Sequence, residues 1–120
     1  MTKVLLVEDE DALRETLEEI LELSDIQVNS VGSAEDALVI LKTWIPDLII
    51  SDIMMPGMNG FELIKILKGK AGLKNVPVIF LSALASEDDQ NRGLEAGANG
   101  YVTKPFKSVE LISLIKKLIK

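Results

Sequence analysis

Two acids, Glu8 and Asp9, stand directly after the apolar run of "KVLLV", and a third, Asp52, follows "LIIS". Ser82 ends "VPVIFLS", and Lys104 ends "GYVTK". Taken singly, each has an ordinary reading. Glu8, Asp9 and Glu10 suit a helix start, Asp52 and Ser82 suit turns, and Lys104 suits a solvated strand end. Taken together they are a chemical set. Clustered carboxylates with no compensating cation repel each other, and one raises its pKa unless a divalent cation sits between them. The chain has no Cys and no His, so any metal is held by oxygen, which selects a hard ion and points to Mg²⁺. Beside such an ion an ionised Asp52 is a nucleophile for phosphoryl transfer, giving an aspartyl phosphate. Lys104 and Ser82 are the right types to hold the transferred group.

For these side chains to meet, the runs that carry them must lie side by side. Short apolar runs, "KVLLV", "QVNSV", "LIIS", "VPVIFLS" and "GYVTK", alternate with five stretches of helical spacing. That alternation predicts an α/β fold with a doubly wound, five-stranded parallel sheet. The first helix places Leu13, Leu17, Ile20 and Leu21 on one face and Glu15, Glu18, Glu19 and Glu22 on the other. Ser33, Asn59 and Ser86 supply capping oxygens to three later helices. The second helix is expected to stop near Trp44, because Ile45 precedes Pro46. In such sheets ligands sit beyond the carboxyl ends of the strands, where all five chemical residues fall.

Composition narrows the choice. With 120 residues, of which 48% are hydrophobic, the chain is expected to form one domain over residues 1–120 with its own core. The lack of His and Cys removes Ser-His and Cys-His nucleophile pairs, thiolate and imidazole metal sites and disulfides. A net charge of −6 argues against direct nucleic-acid binding. The N-terminal apolar run is short and is followed by four acids, which suits neither a signal peptide nor a membrane span, so a cytoplasmic protein without membrane contact is expected. A P-loop is absent: "KGKAG" has Ala71 after Gly69-Lys70, and Ile64 where the first Gly belongs. "VEDEDALR" replaces the Gly-rich turn of a dinucleotide fold. Phosphohydrolases of the haloacid dehalogenase type also use an Asp after a parallel strand, but they expect a second acid where this chain has Met54.

The set as a whole, "KVLLVEDE", "DLIISDIMMPGMNGFEL", "VPVIFLSA" and "GLEAGANGYVTKPF", resembles the receiver domain of bacterial response regulators over the full chain. The resemblance implies a flavodoxin-like (βα)5 fold with strand order 2-1-3-4-5. It implies that Asp52 accepts a phosphoryl group from a sensor histidine kinase or a histidine phosphotransfer protein in a two-component phosphorelay. It further implies that Asp9, Asp52 and the Met54 backbone carbonyl ligate Mg²⁺, that Glu8 acts through water, and that Ser82 and Lys104 bind phosphoryl oxygens. Ser82 and Tyr101 would form the conformational switch, and the Lys104-Pro105 peptide would be cis. Such a domain is a phosphoacceptor switch that catalyses its own phosphorylation and dephosphorylation, not a metabolic enzyme.

The chain departs from DNA-binding relatives of that family. It has "GANGY" where they often carry "GADDY", and Leu114 where they usually place an arginine, which puts their salt-bridged dimer in doubt. The chain ends with its last helix, so output is expected from a downstream protein or from an effector region beyond Lys120. A receiver-like interaction domain that works without phosphorylation is the alternative. The intact set of Glu8, Asp9, Asp52, Ser82 and Lys104 favours the phosphoacceptor.

Overall fold

The computed structural model describes residues 1–119. In chain order the elements are β1 (Lys3–Val7), α1 (Asp11–Leu23), β2 (Gln27–Val31), α2 (Ala34–Ile40), β3 (Leu48–Ser51), α3 (Gly60–Lys68), β4 (Val78–Ser82), α4 (Glu87–Glu95), β5 (Gly100–Thr103) and α5 (Ser108–Ile119). The strands form one parallel sheet in the order β2-β1-β3-β4-β5, the doubly wound topology expected. From β1 the chain winds outward to β2, then crosses back to β3 on the other side. The switch point therefore lies between β1 and β3.

The period of two along each strand divides the core. Leu5, Val7, Ile49 and Phe80 pack with Ala34, Ala37, Leu63, Ile64 and Leu67 from α2 and α3 on one face. Val4, Leu6, Leu48, Ile50, Ile79 and Leu81 pack with Leu17 and Leu21 of α1 and Leu111 and Ile115 of α5 on the other. The inner strands β1, β3 and β4 are buried on both faces and so read as continuous apolar runs, whereas the edge strand β2 carries Gln27, Asn29 and Ser30.

The caps fall where the sequence places them. Ser33, Asn59 and Ser86 accept from the backbone N–H groups of Asp36, Glu62 and Asp89, and at α3 Glu62 returns the bond to complete a capping box. Two boundaries differ from expectation. The regular turns of α2 end at Ile40, short of Trp44, because the chain tightens: Thr43 N donates to Ile40 O at 3.1 Å, three residues back. β4 begins at Val78, after Pro77, which has no N–H to give the ladder.

Register aligns the carboxyl ends. Val7 pairs with Ser51, and Ser82 pairs with Thr103, so the residues that follow emerge at one edge of the sheet. Gly60, the first residue of α3, is packed against the backbone at that edge. Its N–H donates to Ile53 O at 2.8 Å, and a Cβ there would lie 2.5 Å from Asp52 O and 2.8 Å from Ile53 Cα. Gly60→Ala should lower stability by about 2 kcal/mol, since steric overlap with backbone outweighs the better helix propensity of alanine. A urea unfolding midpoint equal to or above that of the parent chain would contradict this packing.

Candidate functional site

Glu8 and Asp9 leave the end of β1, Asp52 the end of β3, and Lys104 the end of β5. Lys104 Nζ donates to Glu8 Oε1 at 3.0 Å and to Asp52 Oδ2 at 2.8 Å. Glu8, Asp9 and Asp52 each offer an oxygen within 4.8 Å of the others. Glu8 and Asp52 are only 1% and 6% exposed, and Asp9 is the more open of the three. The ammonium that the sequence places at this edge compensates the acids directly. The β5 end brings Lys104 between two of them, and the lysine is ion-paired to both.

The Asp52 carboxylate is fixed at both oxygens. Oδ1 accepts from Ile53 N at 2.7 Å and Met54 N at 3.3 Å, and Oδ2 faces Lys104. Turn-forming Pro56 and Gly57 take the chain away from the sheet beyond it. Glu8 Oε2 accepts from Glu10 N at 3.1 Å. Burial pushes the Glu8 pKa up, and the neighbouring Asp52 charge adds to this, while the Glu10 N–H and Lys104 pull it back in part. For Lys104, burial acts to lower the pKa, but the paired carboxylates of Asp52 and Glu8 outweigh it and leave the ammonium above its ordinary value.

Ser82 and Tyr101 lie beside this group in a second set of contacts. The buried Ser82 Oγ accepts from Leu84 N at 3.2 Å, and the half-buried Tyr101 hydroxyl donates to Leu84 O at 2.5 Å. Burial raises the Tyr101 pKa. No hydrogen bond among the described residues joins either side chain to the acids. Met54 is 64% exposed, and the Lys104-Pro105 peptide is cis.

One residue of the site escaped the sequence reading. Arg14 reaches back from α1 to the carbonyl of Glu8 at 2.8 Å. Its signal was available: Arg14 is the only Lys or Arg between Lys3 and Lys42, in a stretch crowded with acids.

The donor set fits a hard divalent cation. All three side chains offer carboxylate oxygens, and no hydrogen bond among the described residues occupies Asp9. When ionised, three carboxylates and one ammonium leave two negative charges, the complement of such an ion.

A doubly wound sheet with three acids and a lysine at its switch point has the architecture of phosphotransfer signalling receivers. The response regulator receiver domain family matches residues 4–116, and the chain belongs to that family. It is 40% identical over 118 residues to the phosphate regulon transcriptional regulatory protein PhoB of Klebsiella pneumoniae, covering 98% of this chain and 52% of that protein. The chain thus spans about half the length of the curated relatives it matches. Among solved structures it resembles the receiver domain of a signal transduction histidine kinase from Syntrophus aciditrophicus, with TM-score 0.92 and 41% identity, covering 99% of this chain and 90% of that one. It also resembles the receiver domain of the sensor histidine kinase PA1611 from Pseudomonas aeruginosa, with TM-score 0.91 and 29% identity, covering 98% and 97%. That protein holds a magnesium ion in its active site cleft.

Since Lys104 holds the Glu8 pKa down, Lys104→Met should raise it further, as followed by carboxyl-carbon NMR through a pH titration. The sign for stability follows by linkage. The native state binds the Glu8 proton more tightly than the unfolded chain, so stability from this group falls as pH rises from about 4.5 through the higher native value. The variant should extend that decline to higher pH. An unchanged Glu8 titration would show that the ion pair is not made in solution.

Proposed function

We propose that this chain is the phosphoacceptor switch of a two-component system, with Asp52 as the residue phosphorylated. The observation that carries this is the Asp52 carboxylate, buried at the switch point, oriented by two backbone amides and a lysine, and grouped with two further acids. In the proposed reaction an Asp52 oxygen forms a bond to phosphorus as the phosphorus–nitrogen bond to a donor phosphohistidine breaks, and the imidazole leaves with the electron pair. Lys104 shifts its hydrogen bond from Asp52 Oδ2 to a phosphoryl oxygen, and Ser82 gives its hydroxyl to another. Asp9, Asp52 and the Met54 carbonyl would hold Mg²⁺, with Glu8 acting through water. The bound ion would supply positive charge against the equatorial phosphoryl oxygens.

The donor under this reading is a sensor histidine kinase or a histidine phosphotransfer protein. Residues 1–120 act as a single receiver domain in the cytoplasm. The output lies in a downstream protein or an effector region of the same polypeptide. No described helix is long and apolar enough to cross a membrane. Asn99, Gly100 and Leu114 argue against the salt-bridged dimer of some relatives, and Leu114 packs beside Gly100, where a Cβ would come within 2.8 Å of Leu114 Cδ2. Asn99 is engaged by Val78 N at 3.0 Å.

With Mg²⁺ and acetyl phosphate, the chain should gain one acid-labile phosphoryl group, and Asp52→Asn should abolish the gain. Equal labelling of both by intact-mass spectrometry would refute Asp52 as the acceptor.

The lifetime of that state turns on water. Met54 and Leu84 each lie two residues beyond a site residue, and their thioether and isobutyl groups offer an attacking water no hydrogen bond comparable to that of a polar side chain. Self-dephosphorylation should therefore be slow, faster in Met54→Asn, and faster again when Leu84→Glu is added. Phosphoryl loss after donor removal, in saturating Mg²⁺, measures this. A double variant that decays at the parent rate would remove both positions from control of the water.

A further inference from the structure

The backbone of Glu8 is held on both sides. Its N–H donates to Val31 O at 3.1 Å, carrying the β1–β2 ladder one step past the strand. Its carbonyl accepts from Arg14 Nη1 at 2.8 Å, six residues along. The other Arg14 nitrogen, Nη2, donates to Asp11 Oδ1 at 2.7 Å. One planar guanidinium thus grips the residue before Asp9 and the second residue after it. The fork rests against the β2–α2 turn, where a Cβ on Gly32 would come within 3.3 Å of Nη1, and the Arg14 side chain is only 22% exposed. α1 starts here without a side-chain cap, since Glu10 stands at the N-cap position and makes no capping bond. The Arg14 bracket supplies the fixing that a cap gives elsewhere.

We infer that Arg14 is a positioning residue for the metal-binding acids: by binding the backbone carbonyl of Glu8 before Asp9 and the side-chain carboxylate of Asp11 after it, it keeps the Asp9 carboxylate grouped with Glu8 and Asp52. The inference rests on the proposed Mg²⁺-dependent reading of the site. Charge alone argues for the opposite effect. A guanidinium beside three carboxylates weakens their attraction for another cation, so on electrostatic grounds its removal tightens Mg²⁺ binding. Removing a group that orients metal ligands loosens binding, commonly by about tenfold or more. The two effects differ in sign, and the sign decides between them.

The test is calorimetric titration of Mg²⁺ into the intact chain, without phosphodonor, for the parent, Arg14→Met, Arg14→Lys and Asp9→Asn. Arg14→Met keeps the alkyl stem and loses the fork, and its Mg²⁺ Kd should rise about tenfold. Arg14→Lys keeps the charge and one donor but cannot bracket Asp9, so its Kd should rise less, and that rise cannot come from charge. If Arg14→Met does not fold, Arg14→Lys decides by the same criterion. Variants that bind Mg²⁺ as tightly as the parent, or more tightly, overturn the inference while leaving the site intact. A parent chain that binds no Mg²⁺, or binds it no better than Asp9→Asn, overturns the reading of the site and this inference with it.

Discussion

The contact on which the structure turns is the Lys104 ammonium set between Glu8 and Asp52. It joins residues 96 and 52 positions apart in sequence, from three different strand ends. Such a group is costly to assemble, because each charge gives up hydration and recovers it only if the geometry is good. Here geometry comes from the sheet. The Val7–Ser51 and Ser82–Thr103 register pairs bring the ends level, and Lys104 N donates to Ser82 O at 2.9 Å one step past the last pair. A slip of one residue in any of these strands would turn its side chains to the opposite face and take the charge out of reach. The apolar runs of β1, β3 and β4 therefore do more than fill a core. By fixing register they set distances at the polar edge.

The same contact shows what can be read from a single sequence. Strand identity, sheet class and the three side-chain caps were legible because each depends on local pattern: short apolar runs alternating with helical spacing, or a capping oxygen three residues from the N–H it accepts. Glu8, Asp9, Asp52, Ser82 and Lys104 were legible as strand-end residues once the parallel sheet was inferred. Their partners were not. That Lys104 already neutralises two of the acids depends on its path beyond β5, which no local pattern encodes. The Arg14 bracket depends on a side chain doubling back over six residues to a carbonyl. The end of α2 was misplaced for a related reason: Pro46 forbids helix beyond it but does not say how early the chain tightens.

A similar non-local fit sets the face around α4. Phe61, Phe80 and Tyr101 meet edge to face, with centroids 5.6 and 6.3 Å apart, and the Arg92 guanidinium lies 4.6 Å over Phe61. Gly93 permits this. A Cβ at that position would lie 2.8 Å from the Tyr101 ring and 3.1 Å from Phe80, so α4 approaches β5 through its one residue without a side chain. The aromatic row spans from α3 to β5, and Leu84 packs against the same core cluster.

Leu84 is where the proposed switch has its leverage. Its N–H donates to Ser82 Oγ and its carbonyl accepts from Tyr101, so one loop residue is tied to the site at one end and to the aromatic row at the other. Two neutral hydrogen bonds contribute about 1 kcal/mol each, which favours this arrangement by about thirtyfold over one lacking both. A phosphoryl oxygen beside Ser82 offers its hydroxyl a charge-assisted bond roughly twice as strong. Under the proposed reading, movement of Ser82 toward the phosphoryl group would weaken the hold on Leu84 N and, through the same residue, the hold on Tyr101. On these typical magnitudes the two neutral bonds and the one charge-assisted bond are of similar size, which is what the proposed switch requires. A tighter latch would ignore phosphorylation, and a looser one would leave the face of α4 and β5 unsettled before the signal arrives.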